Sequence, residues 1–261
     1  MSFFIGYPLR YYGVFDGHGG AKVAAFSANN LHRYIVRRSE YKEGDVEEAL
    51  RQGFMECDRA MRTEESLKDE MAGCTAVVVM TKGKELWCAN AGDSRCVAGV
   101  GGMAKALSND HKPMDTKEKA RIEAAGGFVE FNRVNGNLAL SRAMGDFVFK
   151  MNDKLPQSDQ IVTCFPDIVH EVVEDDWDFI LLACDGIWDV LSNQEVTDFV
   201  TERLGRAMEP EDICEELMNR WVEVVKVMMT IFLFLQMFVS RLPDGRSGLR
   251  QHDLRAGLPL A

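Results

Sequence analysis

Apolar runs in this chain end repeatedly in an aspartate set beside glycine. Val14-Phe15 leads into Asp16-Gly17-His18-Gly19-Gly20, Asn90-Ala91 into Gly92-Asp93-Ser94, and Phe179–Cys184 into Asp185-Gly186, with Trp188 and Asp189 just beyond. Gly145-Asp146 repeats the device after the run Leu138–Met144. Taken singly, each copy reads as a plain tight turn, because Asp and Gly are common turn residues. Taken together, carboxylates at strand ends, with glycines that open the backbone carbonyls, suit hard cations such as Mg²⁺ or Mn²⁺. Zinc fits poorly, since the five histidines are scattered and no Cys/His group has ligand spacing. Two cations close together can bridge an activated water and hold a phosphoryl group for in-line attack. His18, beside Asp16, would then protonate the leaving alkoxide as a general acid.

Rival chemistries lack their supporting residues. Cys214 and Arg220 have the bare Cys-x₅-Arg spacing of a thiol phosphatase. The intervening segment, however, has no glycine, carries Glu215 and Glu216, and is predicted helical, so its amides cannot cradle a phosphate. Gly99-Val100-Gly101 loosely resembles a dinucleotide loop, but no helical pattern follows it. The chain has no glycine-rich P-loop with its lysine, and Ser94 and Ser141 lack a nearby His-plus-acid pattern.

The elements that must position these residues alternate short strands with amphipathic helices. A strand over Tyr11–Phe15 precedes a helix bearing Val23, Phe26, Leu31, Tyr34 and Ile35 at helical spacing. A second helix, Val46–Thr63, opens on the capping-box pair Asp45 and Glu48. Ala76–Met80 and Leu86–Ala91 flank a hairpin turn, and Arg95–Ala98 is expected to continue the meander. Lys117–Ala125 reads as a short helix, Phe179–Cys184 as a buried strand. Ser192 and Glu195 cap a helix to about Leu204, and Pro210 opens a last one through Asn219. The fold class is α+β.

Composition agrees with a globular domain. The 261 residues are 46% hydrophobic and 27% charged, with a net charge of −11, which disfavours nucleic-acid binding. Seven cysteines without a C-x-x-C pair read as reduced, buried thiols. The first ten residues lack the basic start and cleavage site of a signal peptide, so a cytoplasmic or nuclear location is expected. The apolar run Val227–Val239 is shorter than the ~18–20 residues of a spanning helix and reads as a terminal strand or helix, with a membrane anchor as the alternative.

Eight collinear segments resemble the metal-dependent PPM-type (type 2C) Ser/Thr protein phosphatases. They are VFDGHGG (14–20), GCTAVVV (73–79), ANAGDSR (89–95), DHKP (110–113), RIEAAGGFV (121–129), RVNGNLALSRAMGDFVFK (133–150), FPDI (165–168) and FILLACDGIWDV (179–190). The resemblance implies a four-layer αββα sandwich, two antiparallel sheets flanked by helices, with the metals at one end. It implies two Mg²⁺ or Mn²⁺ ions, Asp16 bridging both, Gly17 lending a carbonyl and Asp185 holding the first. By the same resemblance Asp93 and Asp189 match a weaker third metal position, and His18 the general acid. Asp146 matches a motif acid to which no direct ligation is assigned. The implied reaction is hydrolysis of phosphoserine or phosphothreonine in phosphoprotein partners by a metal-bridging hydroxide, without a covalent intermediate, in a monomer.

The departures define the domain limits: 1–10 a short extension, 11–220 an incomplete phosphatase domain, 221–261 a divergent tail. Relatives begin with a strand bearing a phosphate-binding Arg and a Glu-Asp pair for the second metal. Here no acid precedes Tyr11, and Arg10 is a poor substitute by position. Their closing Asp-Asn pair is also missing; Asp244 and Asp253 stand in other contexts. Impaired catalysis, or a phosphatase-like binding module, is therefore the alternative expectation. Unless Phe3–Tyr12 or Ile231–Leu235 pairs there, the sheets would be left with bare edges.

Overall fold

The computed structural model describes residues 9–226 and 237–241. Strand β1 (Arg10–Val14) leads through Phe15-Asp16 into the two-residue strand β2 (Gly17–His18), then helices α1 (Lys22–Arg37), α2 (Ser39–Glu43) and α3 (Val46–Met61). Strands β3 (Gly73–Cys74), β4 (Ala76–Lys82), β5 (Glu85–Ala91), β6 (Arg95–Val100) and β7 (Met103–Ala106) follow. Helix α4 (Thr116–Ala124) precedes the short strands β8 (Val129–Glu130), β9 (Arg133–Val134) and β10 (Met144–Gly145). The last described elements are β11 (Asp167–Val172), β12 (Trp177–Ala183), α5 (Asp185–Trp188), α6 (Asn193–Gly205), α7 (Pro210–Lys226) and β13 (Met237–Arg241).

Two antiparallel sheets, ordered β1-β4-β5-β11 and β13-β12-β6-β7, form the centre. The period-2 alternation of their strands sorts side chains into three apolar layers. Val77, Val79, Leu86 and Cys88 of one sheet meet Cys96, Ala98, Ile180 and Leu182 of the other. On the outer face of the first sheet, Val78, Met80, Trp87 and Ala89 pack with Leu31, Ile35, Leu50 and Phe54 of α1 and α3. Behind the second sheet, Val97, Phe179, Leu181 and Ala183 pack with Val196, Phe199, Ile213 and Leu217 of α6 and α7. The result is the expected αββα sandwich. At Gly53 the two helices of the first layer approach so closely that a Cβ would lie 2.5 Å from Ile35, so only glycine fits.

Several local expectations change. β6 does not extend the β4–β5 hairpin; Gly92-Asp93-Ser94 carries the chain across to the second sheet, where β6 pairs with β12 and β7. Asp45 caps α3 by accepting from the Glu48 N–H, but the Glu48 carboxylate accepts from Gln52 instead of closing a reciprocal box. The Ser192–Glu195 box closes in both directions. α7 runs past Asn219 to Lys226. Six of the seven cysteines are buried and none is disulfide-bonded.

The sheet edges are occupied. Arg10–Val14 pairs with β4, and Met237–Arg241 pairs with β12. Phe3–Pro8, Ile231–Leu235, Asp244 and Asp253 lie outside the described residues. Among the described residues no helix is long and apolar enough to cross a membrane.

Candidate active site

Antiparallel register brings the aspartates to one end of the sandwich. Val14, at the end of β1, pairs with Val77, near the start of β4; Ala76 pairs with Ala91, at the end of β5; and Ala183 pairs with Arg95. The residues that follow or precede these positions are Asp16, Thr75, Asp93 and Asp185. All six residues singled out from the sequence, Asp16, Gly17, His18, Asp93, Asp185 and Asp189, line one cleft of about 530 Å³.

Hydrogen bonds fix its floor. Thr75 clamps Asp16 from both sides: the Asp16 N–H donates to Thr75 Oγ1 at 3.2 Å, and the Thr75 N–H to the Asp16 carbonyl at 2.8 Å. Thr75 Oγ1 also lies 2.6 Å from Ser94 Oγ, tying this corner to the turn that presents Asp93. Asp185 is the first residue of α5, and its carbonyl accepts from the Asp189 N–H at 2.8 Å. Trp188 anchors that turn by donating its indole N–H to the Ala183 carbonyl at 2.8 Å.

The charge of the cleft is left unbalanced. Burial raises the Asp185 carboxyl first, and Asp93, Asp16 and Asp189 raise it further, to about 7 despite Lys112. Burial and Asp93 likewise lift Asp16 to about 6, with His18 pulling the other way. A ligand oxygen of Asp16, one of Asp185 and the Cys184 thiol lie within 4.8 Å of one another. Burial pushes that thiol up to about 12, so it stays protonated and the pair of carboxylates is the donor set. Repelling, half-buried carboxylates with converging oxygens suit a hard divalent cation.

The other expected residues are placed differently. Asp93 is buried and already paired, with Lys112 Nζ 2.6 Å from its carboxylate. Asp189 is exposed at the rim. Gly17-His18 is not a turn but a strand paired with Gly73-Cys74. Asp146 does not line the cleft; its Oδ2 lies 2.6 Å from His18 Nε2. Burial lowers the His18 pKa, but the Asp146 hydrogen bond and charge, with Asp16 and Asp93, outweigh it and raise the net value. Arg10 stands at the far end of β1, opposite Thr81, about 13 Å along the strand from Val14.

Thr75, Lys112 and Arg133 were not anticipated. Arg133 joins the wall of the cleft from β9, with Asn137, Leu138 and Leu140. Thr75, Lys112 and Arg133 all fall inside the GCTAVVV, DHKP and RVNG segments, the one sequence signal that marks them.

Carboxylates thus converge at one end of the sheets of a four-layer sandwich. The chain belongs to the protein phosphatase 2C family, matching it over residues 8–224. It is 55% identical over 210 residues to a probable protein phosphatase 2C of Caenorhabditis elegans, covering 80% of this chain and 59% of that protein. It is 51% identical over 212 residues to protein phosphatase 2C homolog 2 of Aspergillus fumigatus, covering 81% and 49%. The chain thus spans about half to three-fifths of these curated relatives. Among solved structures, a phosphatase of Toxoplasma gondii shares the fold with a TM-score of 0.77 at 24% identity, over 92% of this chain and 88% of that one. A C. elegans sex determining protein aligns with a TM-score of 0.74 at 26% identity, over 90% and 56%.

Proposed function

We propose that this domain hydrolyses phosphoserine and phosphothreonine in proteins, with Asp16, Asp185 and the Gly17 carbonyl holding divalent Mg²⁺ or Mn²⁺. The observation that carries the reading is the pair of raised, converging carboxylates, Asp16 and Asp185, inside a family of metal-dependent phosphatases. Bound divalent cations would supply the charge that activates water and stabilises the phosphoryl oxygens. His18, protonated against Asp146, donates the proton that the leaving seryl or threonyl oxygen needs. Asp93, with Lys112 as its present partner, and Asp189 at the rim offer a further, weaker cation position. Arg133 is the arginine among the residues of the cleft wall, suited to a phosphate oxygen where Arg10 is too distant. A single copy of the domain carries every group in this scheme.

A second reading is favoured by the small donor set. Among the described residues, two carboxylates and one protonated thiol are the groups in reach of one ion. A phosphatase-like module that binds phosphoproteins and turns them over slowly fits that count. Loss of partners beyond the direct ligands already costs about 10–100-fold in metal affinity or activity, and missing ligands cost more. Mn²⁺-dependent phosphate release from a phosphothreonine peptide separates the two. Release by this chain that is abolished in Asp185→Asn supports the enzyme, whereas peptide binding without release supports the module. Equal release with and without Mn²⁺ contradicts both.

A further inference from the structure

We infer that Asp146 is the positioning residue for His18, holding the ring so that Nε2 faces Asp146 and Nδ1 delivers the proton into the cleft. The inference rests on His18 being the proton donor proposed above. It starts from a contact between residues 128 positions apart, Nε2 to Oδ2 at 2.6 Å, with the Asp146 side chain 4% exposed.

The surrounding backbone is built to keep that contact. β2, β3 and β10 make a three-stranded sheet of two-residue strands, in the order β10-β3-β2. Gly73 of β3 faces His18 on one side and Gly145 on the other. A Cβ on Gly73 would lie 2.1 Å from Asp146 Oδ2 and 2.6 Å from His18 Nε2, so the pair occupies space that only glycine leaves open. Asp146 itself has φ 51°, in the left-handed region, and its N–H donates to the Ala72 carbonyl at 3.1 Å. The preceding Gly145 N–H donates to Asp58 Oδ1 at 2.7 Å. Asp58 is fully buried and paired with the equally buried Lys150, whose Nζ also donates to the Ala143 carbonyl at 2.8 Å. Both flanks of Asp146 are therefore tied to α3 through one enclosed ion pair. A local backbone strain held by this many bonds is what a precisely aimed side chain requires.

An imidazole has two nitrogens, and the hydrogen bond made by one decides the role of the other. With Nε2–H donated to a carboxylate, Nδ1 is the nitrogen left for the substrate. As the bond between phosphorus and the seryl or threonyl oxygen breaks, its electron pair stays on that oxygen, which takes the Nδ1 proton. The ring is left neutral with its proton on Nε2, the form that Asp146 stabilises. The attacking water gives its own proton to bulk solvent, and bulk solvent reprotonates Nδ1. This is the orienting-acid logic of other triads, here applied to a proton donor.

The test uses the full chain, uniformly ¹⁵N-labelled, as wild type, Asp146→Asn and His18→Ala. Asparagine tolerates the left-handed backbone, so Asp146→Asn keeps the fold, and the signals of His111 and His170 serve as the control. The expected signature is a far-downfield proton on His18 Nε2, protected from exchange, that vanishes in both variants. Its absence from the wild type, or its survival in Asp146→Asn, overturns the inference. The second readout compares a phosphothreonine peptide with p-nitrophenyl phosphate in Mn²⁺, because nitrophenolate leaves without a proton. Asp146→Asn should lower kcat on the peptide by about 10²-fold at unchanged KM, with a far smaller loss on the aryl ester. Equal losses on both substrates would mark Asp146 as merely structural and overturn the inference. A wild type that hydrolyses neither substrate would count against the proposed function alone, and the Nε2 signal would still decide the role of Asp146.

Discussion

Glu118 and Asp185 are both carboxylates drawn out of water, and they end in opposite states. Burial pushes the Glu118 carboxyl up, but Arg142, Arg121 and the Ser141 hydroxyl overcome it and hold it at about 2. Its oxygens lie 2.7 Å from Arg142 Nη2 and 2.7 Å from Arg121 Nη1. Asp185 is surrounded by Asp93, Asp16 and Asp189, with Lys112 as a partial counterweight, and is raised to about 7. One network completes its charge with residues of the chain. The other leaves a deficit of positive charge that a divalent cation would fill. A fold that stabilised itself everywhere would have no reason to keep the second, so the contrast separates the residues that hold this domain together from those held ready for a ligand.

Removing Glu118 should have the largest effect. Glu118→Ala removes the buried carboxylate shared by the half-buried Arg121 and Arg142, leaving Arg142 to Asp167 and Arg121 to backbone carbonyls, and is expected to cost about 3 kcal/mol in urea unfolding. Asp185→Asn, which also removes a carboxylate drawn partly out of water, should instead leave the metal-free protein as stable or more so, because it removes repulsion. If both substitutions destabilise alike, the contrast between the two regions is lost.

The pH dependence should split in the same way. Asp16 and Asp185 bind protons more tightly when folded than in the unfolded chain, so between pH ~4 and ~7 the folded state holds the extra protons. The metal-free protein should therefore lose stability as pH rises through about 6 to 7, and saturating Mn²⁺ should cancel that loss by displacing the protons. Glu118, whose folded value is lowered, contributes stability that is present above its ordinary value near 4.5 and disappears as pH falls toward about 2. Thermal unfolding from pH 3 to 8.5, with and without Mn²⁺, reads both slopes. A metal-free protein whose stability is flat from pH 5 to 8 would contradict the carboxylate account. The smallest effect belongs to Cys214→Ser, on a helix away from the cleft: no change in any Mn²⁺-dependent turnover, and stability within about 0.5 kcal/mol.

Much of the fold was legible because it is written in local patterns. The short, continuous apolar runs Ala76–Met80 and Phe179–Cys184 mark buried strands, and the Ser192 and Asp45 caps mark helix starts within one or two residues. The aspartates could be picked out because each follows or precedes a strand end. What failed was long-range and brief. A strand as short as Gly17-His18 has no periodicity to detect, and its partner Gly73-Cys74 lies more than fifty residues away. The crossing of β6 to the second sheet depends on the Gly92 turn, where φ is 126° and a Cβ would meet Thr75 at 2.7 Å, rather than on any pattern in the strand itself. Asp146 was grouped with the strand-end carboxylates on sequence grounds, yet the structure gives it to His18. Lys112 carried no local signal of its own, because its partner Asp93 is nineteen residues away across the β6–β7 hairpin.

The central claim is that the cleft is short of positive charge and that a divalent cation supplies it through Asp16 and Asp185. Isothermal titration of Mn²⁺ into the full chain at pH ~5.5, where both carboxyls still hold protons, in two buffers of different ionisation enthalpy, measures this directly. The account predicts saturable binding with net proton release, since both carboxyls must lose their protons, and affinity weakened by about 100-fold or more in Asp16→Asn and in Asp185→Asn. Binding that is equally tight in the wild type and both variants, or that releases no protons, would contradict it.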